Sequence, residues 1–238
     1  MDAIQIFSVL DEMIPRDLAI KDDKIGYFGQ RQDDLEIENI KVMMDLMPKD
    51  DLTLAKNDLV VSHHPPLFIP KTPTYVIHSN WDIILGGAND ALVEFLGLRS
   101  LNTFDLNTGI GRVCSSSLKL DEFLEILSVK FASNVIRVVN GDKNKTLKKI
   151  AIVSGYGLSN LDFIKLAKDR NIDAFVSGDL AHAGAILAKK LDVTLIDIPH
   201  HLIEFPGLIA LAELIANNNK INLPVELIDN GIPWTYLE

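Results

Sequence analysis

Two long stretches of this chain pass through the same order of elements, and that repetition limits the fold more than any other feature. In the first, NIKVMMDL reads as a strand, LTLAK as a short helix, NDLVVS as a second strand and TYVI as a third. The helix NDALVEFLGL follows Gly86 and Gly87, with Asn89 placed to cap it. In the second, KKIAIVS is a strand, LDFIKLAKDR a helix, NIDAFVS a strand, AHAGAILAKKL a helix, DVTLIDI a strand and PGLIALAELIA a helix. LAK–NDLVVS matches LAKDRNIDAFVS, and H-x-x-x-D after one third strand matches H-x-x-x-E after the other, a weak internal duplication. Strands this rich in Val, Ile and Leu belong to sheets covered on both faces. The expected class is α/β, with two three-layer α/β/α units, residues 1–115 and 116–238. The join falls between LKLDEFLEIL and NGDKNKT, a helix and an edge strand (NVIRVVN) followed by a charged loop. Ahead of both, Ala3, Ile4, Phe7, Leu10, Met13 and Ile14 recur at helical spacing until Pro15 stops them.

All six histidines lie in motifs at the ends of these strands: His63-His64 in SHHPP, His78 in HSNWD, His182 in GDLAH, and His200-His201 in HHLIE. In open α/β sheets ligands collect at the carboxyl ends of strands. Adjacent side chains on a strand point to opposite faces, so His63 and His64 share a site only if the strand ends there, and Pro65-Pro66 supply the break. The competing reading buries one histidine and exposes the other. His78 and Asp82 are four apart, as are His200 and Glu204, a spacing that puts both groups on one face of a helical turn. Alternatively each acid only complements a helix start, and Pro206 complicates a helix through Glu204. Imidazoles and carboxylates without a thiolate suit Zn²⁺, Mn²⁺ or Fe²⁺. The set His63, His64, Asp82, His200 and Glu204 is more than one catalytic zinc takes, so two ions per chain are expected, and hydrolysis is the expected chemistry. His78 is either a further ligand or a group that orients one or moves a proton. Asp179 and His182 are acid or base candidates, although Asp179 also reads as a helix cap. Asp105 is a reserve carboxylate, and Arg112 a possible anion contact.

The net charge of −10 argues against general nucleic-acid binding, which needs a cationic footprint. The densest basic stretch, with Lys143, Lys145, Lys148 and Lys149, reads as a solvated loop before a strand. No apolar run approaches the roughly 20 residues of a membrane span, and the acidic N-terminus is unlike a secretory signal. One cysteine, Cys114, leaves no intrachain disulfide and fits a reducing compartment, so a cytoplasmic location is expected.

SHHPPLF, HSNWD followed by GGANDALVEFLGL, SGYGLS, SGDLAHAGA and the closing H-x-x-x-E, with an N-terminal DKIGYFG, resemble the NIF-three-like family, also called GTP cyclohydrolase type 2 homologues. Position by position, the family's double histidine, its aspartate, and its C-terminal histidine and glutamate fall on His63, His64, Asp82, His200 and Glu204. The resemblance implies two interlinked α/β units with a dinuclear metal centre in the cleft between them, and a toroidal homohexamer. There are departures: the segment between His64 and His78 is short, Pro199 replaces a glycine, Trp81 a leucine, and Ala183 the second histidine of a G-D/E-x-x-H-H motif.

The expected function is a dinuclear metal-dependent hydrolase acting on a small, anionic, phosphorylated or nucleotide-like substrate. The rivals are a non-catalytic metal-binding regulator or metallochaperone, and a protein in which metal is purely structural.

Overall fold

The computed structural model describes residues 1–29, 35–133 and 135–235. The chain forms two compact units, Met1–Ile84 with Leu208–Glu238, and Leu85–Gly207. In chain order, α1 (Ala3–Met13), β1 (Gly26–Phe28), β2 (Asn39–Met43), β3 (Asp58–Ser62), β4 (Thr74–Val76) and α2 (Ser79–Ile83) build the first unit. Then α3 (Ala88–Phe95), β5 (Arg99–Thr103), β6 (Arg112–Ser115), α4 (Leu120–Phe131), β7 (Arg137–Val139), β8 (Lys149–Ile152), α5 (Leu161–Asp169), β9 (Ala174–Ser177), α6 (His182–Leu191) and β10 (Thr194–Asp197) build the second. The opening turns of α7 (His200–Ala216) complete the second unit, while its later turns and β11 (Val225–Leu227) belong to the first.

The first sheet runs β1-β4-β3-β2-β11, parallel throughout except for β1. Every residue of β3 is buried, as expected of a strand covered on both faces. On one face Phe7 of α1 stacks on Tyr75 and lies against Tyr27. Met43, Leu46 and Val60 pack together with Leu54, Phe68 and Ile228. LTLAK, expected as a helix, is a run of turns, and Leu54 anchors it to that cluster.

The second sheet runs β5-β6-β8-β9-β10-β7, with β8, β9 and β10 parallel and the others antiparallel to their neighbours. Alternate residues face opposite ways, as a strand's period of two requires. Ile150, Ile152, Ala174, Val176 and Ile196 join the cluster formed with α3 and α4, through Leu92, Val93, Leu120, Phe123 and Leu127. Phe175 instead meets Phe104, which also meets Phe163 of α5.

The division differs from 1–115 and 116–238. β6 pairs with β8 from Arg112↔Ile152 to Ser115↔Lys149, so residues 85–115 belong to the second unit, and β11 returns the C-terminus to β2. Asn89 is not a cap: it lies inside α3, after Gly87, and its buried amide oxygen accepts from Ser154 N–H at 2.9 Å.

The repeat is visible in the topology. β2-β3-β4 and β8-β9-β10 are parallel trios in the same order, and each third strand has an antiparallel partner outside it, β1 or β7. His63-His64 follow β3 and His78 follows β4; Gly178-Asp179 follow β9 and His200 follows β10.

Candidate metal centre

In the first unit the end of β3 breaks its own alternation. The backbone N–H groups of His63 and His64 donate consecutively to Met43 and Met44 carbonyls, at 3.0 and 2.9 Å. A regular parallel strand donates to a given neighbour only at alternate residues. Ser62 Oγ donates to the His64 carbonyl at 2.7 Å and holds the bend. Both imidazoles then lie near His78, with ring centroids 5.1 Å (63–64), 5.2 Å (63–78) and 5.5 Å (64–78) apart. One ring nitrogen from each of the three falls within 4.8 Å of the others. His78 stands at the N-cap of α2, and Asp82 N–H reaches its carbonyl at 3.2 Å, so the expected four-residue spacing forms one turn. Asp82 is buried, with Oδ1 3.7 Å from His63 Nε2.

Each of these rings is fixed through Nδ1. His63 Nδ1 meets the Ile77 carbonyl at 2.9 Å, His64 Nδ1 meets Asp45 at 3.0 Å, and His78 Nδ1 meets both oxygens of Asp23 at 2.9 and 3.1 Å. A carbonyl or ionised carboxylate only accepts, so Nδ1 carries the hydrogen and Nε2 is the basic nitrogen. Asp23 also accepts from Ser79 N–H at 3.1 Å and from Ser79 Oγ. Burial works against its charge, but His78 and Ser79 outweigh it and hold the carboxyl well below the usual carboxylate range.

The second unit repeats the arrangement. His200 Nδ1 meets Asp179 Oδ2 at 2.7 Å, and Nε2 meets Glu204 Oε2 at 2.9 Å. Burial opposes protonation of His200, yet the two carboxylates raise it to about 10. α7 runs through Pro206, so His200 and buried Glu204 do share one helical turn. Asp179 does not cap α6: the helix starts at His182 behind Ala181, with no side-chain cap. His182 is exposed in that first turn, and His201 stacks on Phe205 at 5.5 Å.

Four histidines therefore have Nδ1 on an oxygen acceptor and Nε2 turned to the other side, the arrangement that orients metal-binding imidazoles. In each unit the imidazoles and a buried carboxylate, Asp82 in the first and Glu204 in the second, are donors of the kind that a hard-to-borderline divalent ion takes. The structure also shows two carboxylates that sequence reasoning missed, Asp23 and Asp45. Neither stands at a periodic distance from its histidine; the only signal was that Asp23 opens the DKIGYFG segment.

Other candidates have structural roles. Arg112 is buried in a bidentate pair with Asp90, both contacts 2.7 Å, which removes it as an anion contact. Asp105 closes its own turn through Asn107 N–H and Thr108 Oγ. Lys145 donates to the Asp173 carbonyl and Thr194 Oγ, and Lys143 pairs with Asp121. Among the described residues, no helix is long and apolar enough to cross a membrane.

Fold and side chains define a class: a duplicated α/β protein with a histidine–carboxylate cluster at the strand ends of each unit. The chain belongs to the Duf34/NIF3 (NGG1p interacting factor 3) family, whose model matches residues 70–231. A Methanothermobacter thermautotrophicus protein named GTP cyclohydrolase 1 type 2 homolog is 40% identical over 230 residues, 97% of this chain and 94% of that one. A Methanocaldococcus jannaschii protein of the same name is 30% identical over 247 residues, covering 94% and 98%. Among solved structures, reduced HcgD from Methanocaldococcus jannaschii superposes with TM-score 0.82 at 29% identity, covering 96% and 98%. Staphylococcus aureus hypothetical protein SA1388, at 22% identity and TM-score 0.85 over 100% and 99%, shares the fold.

Proposed function

We propose that this protein is a divalent-metal-dependent hydrolase for a small phosphorylated or nucleotide-like substrate, with two ions per chain. His63, His64, Asp82, His200 and Glu204 would hold them. The observation that carries this reading is the common orientation of four imidazoles, each with Nδ1 on an oxygen acceptor. The relatives' name, GTP cyclohydrolase 1 type 2 homolog, supports the substrate class.

Divalent ions in such a site supply Lewis acidity and an acidified water. The chain's residues do the rest. Asp45 and the Ile77 carbonyl keep His64 and His63 in the Nδ1–H tautomer. Asp23 does the same for His78, whose Nε2 can then take a proton from water or substrate. Asp179 would act through His200, which it holds at 2.7 Å. Exposed His182 is the remaining candidate for a proton donor to the leaving group.

The second reading, a metal-binding regulator or metallochaperone, is favoured by the net charge of −10 and by Ala183 in place of a second histidine beside His182. A homohexamer is part of either proposal, tested by light scattering.

Elemental analysis of untagged protein and of Glu204→Ala and His63→Ala tests metal binding. About two ions per chain, reduced in both variants, are expected. A nucleotide and phosphoester screen then separates the readings: turnover lost in His78→Ala with metal retained supports the hydrolase, and metal without turnover supports the carrier. No metal after reconstitution with zinc, manganese or iron overturns both.

A further inference from the structure

The contact between Asp179 and His200 depends on a left-handed backbone residue, because Asp179 has φ +61°. That conformation strains an L-residue and is tolerated best by Asn and Asp. Something must hold it. The next residue, Leu180, is gripped at both backbone polar groups. Its N–H donates to Asp197 Oδ1 at 2.9 Å, and its carbonyl accepts from Arg137 Nη2 at 3.1 Å. Arg137 Nε also donates to Asp197 Oδ2 at 2.6 Å. The three contacts close a ring of Arg137, Asp197 and the Leu180 backbone.

The ring is built into the sheet. Arg137 on β7 and Asp197 on β10 are direct cross-strand partners. The Asp197 side chain is 5% exposed and that of Arg137 58%, so the carboxylate is sealed and the guanidinium caps it from outside. One residue before Asp179, Gly178 N–H donates to the Gly155 carbonyl at 2.7 Å, which fixes the other side of the turn. A surface ion pair is worth little in stability. A guanidinium that also holds a carbonyl next to a strained residue does something more specific.

We propose that Arg137 and Asp197 are positioning residues for the metal-binding form of His200. They hold Leu180, Leu180 holds Asp179 in its left-handed turn, and Asp179 holds His200 with Nε2 toward Glu204. This rests on the reading of His200 as a ligand, and it names two residues outside the ligand set that set that ligand's geometry. The ring reaches His200 through the 178–180 turn.

The test uses the full chain with Arg137→Ala and Asp197→Asn. In metal-free protein, ¹⁵N–¹H spectra of the imidazoles report whether His200 Nδ1–H stays hydrogen-bonded, a readout that a general loss of stability with the fold intact does not move. Both variants are expected to lose that signal while keeping the parent's circular dichroism. Zinc titration is expected to show about tenfold weaker binding, at the lower end of the range for removing an orienting partner. An unchanged His200 signal in both folded variants overturns the proposal. If Asp197→Asn fails to fold, Arg137→Ala alone decides, because its side chain is mostly outside. If the parent binds no zinc, the metal reading fails, while the imidazole signal still decides the positioning role.

Discussion

His78 donates its Nδ1 hydrogen to Asp23, at 2.9 and 3.1 Å from the two carboxylate oxygens, across 55 positions of sequence. The contact fixes both the ring and its tautomer, since an ionised carboxylate has no hydrogen to give. Asp23→Asn puts an amide there that can donate to Nδ1 and push the hydrogen to Nε2. The expected result is a switch of His78 to the Nε2–H form in ¹⁵N spectra, with loss of its capacity to accept a proton on that side. A spectrum still showing Nδ1–H would sink this assignment.

Gly155 has φ +79°, and a methyl group there would run into the Glu204 carboxylate. Gly86 has φ +81° and open space around it. Alanine costs each site the same backbone strain, roughly 1–2 kcal/mol, but only Gly155→Ala also displaces Glu204. Both variants should melt a few degrees lower, and only Gly155→Ala should lose bound metal. Equal metal content in the two would show that Glu204 is not a ligand.

Asp51 gives the chain an acid-sensitive joint. Its carboxylate accepts from Lys71 N–H at 3.1 and 2.9 Å and from Thr72 N–H at 2.8 Å. Burial works against its charge, but these backbone donors outweigh it and lower its pKa. A folded-state value below the unfolded one means that the unfolded chain binds more protons in the interval between them. The resulting stability is therefore complete above the ordinary carboxylate pKa of about 3.9 and is lost as pH falls through the lower folded value. Asp51→Asn should cost about 1–3 kcal/mol at pH 7 and flatten the fall in stability below about pH 4. Urea unfolding at pH 7, 5 and 3.5 measures both.

Much of this was legible because it is periodic or adjacent. Buried strands announce themselves as Val/Ile runs, and a motif at a strand end needs no long-range information to be placed. The four-residue spacings of His78 with Asp82 and of His200 with Glu204 translated directly into helical turns. What failed was tertiary. Residues 85–115 look like the tail of the first repeat until β6 pairs with β8. LTLAK has helical composition, but Leu54 is held by the Met43–Val60 cluster and Asp51 by Lys71 and Thr72. Asp179 had the sequence position of a cap, and only its left-handed backbone sends it to His200. Asp23 and Asp45 carry no local pattern, because what selects them is a histidine far away in the chain.

Asn230 extends the same logic to His64. Its Nδ2 donates to the Asp45 carbonyl at 2.7 Å and to Asp50 at 3.0 Å, so the C-terminal segment pins the loop whose Asp45 orients the ring. Asn230→Ala is expected to leave the sheet intact and loosen Asp45, seen as a broadened or exchanging His64 Nδ1–H resonance. A His64 signal as sharp as the parent's would mean that the loop holds itself.

Cys114 offers a probe that needs no substrate. It is fully buried in β6, opposite Ile150 of β8. Burial, with the charge of Asp90 adding to it, pushes its thiol up to about 12, so the native chain offers almost no thiolate at neutral pH. Labelling by a disulfide reagent must wait for the second unit to open. Anything that binds only the folded state slows the reaction by a factor of 1 + [L]/Kd where opening is at equilibrium, about a hundredfold at a concentration of 100 Kd. Manganese is the ion to use, because it is a poor partner for a thiolate in the opened chain. Added manganese should slow labelling of the parent protein and leave His200→Ala unaffected. Equal slowing of both would place the ion elsewhere than on His200, and no slowing of either would mean that the folded second unit does not bind it.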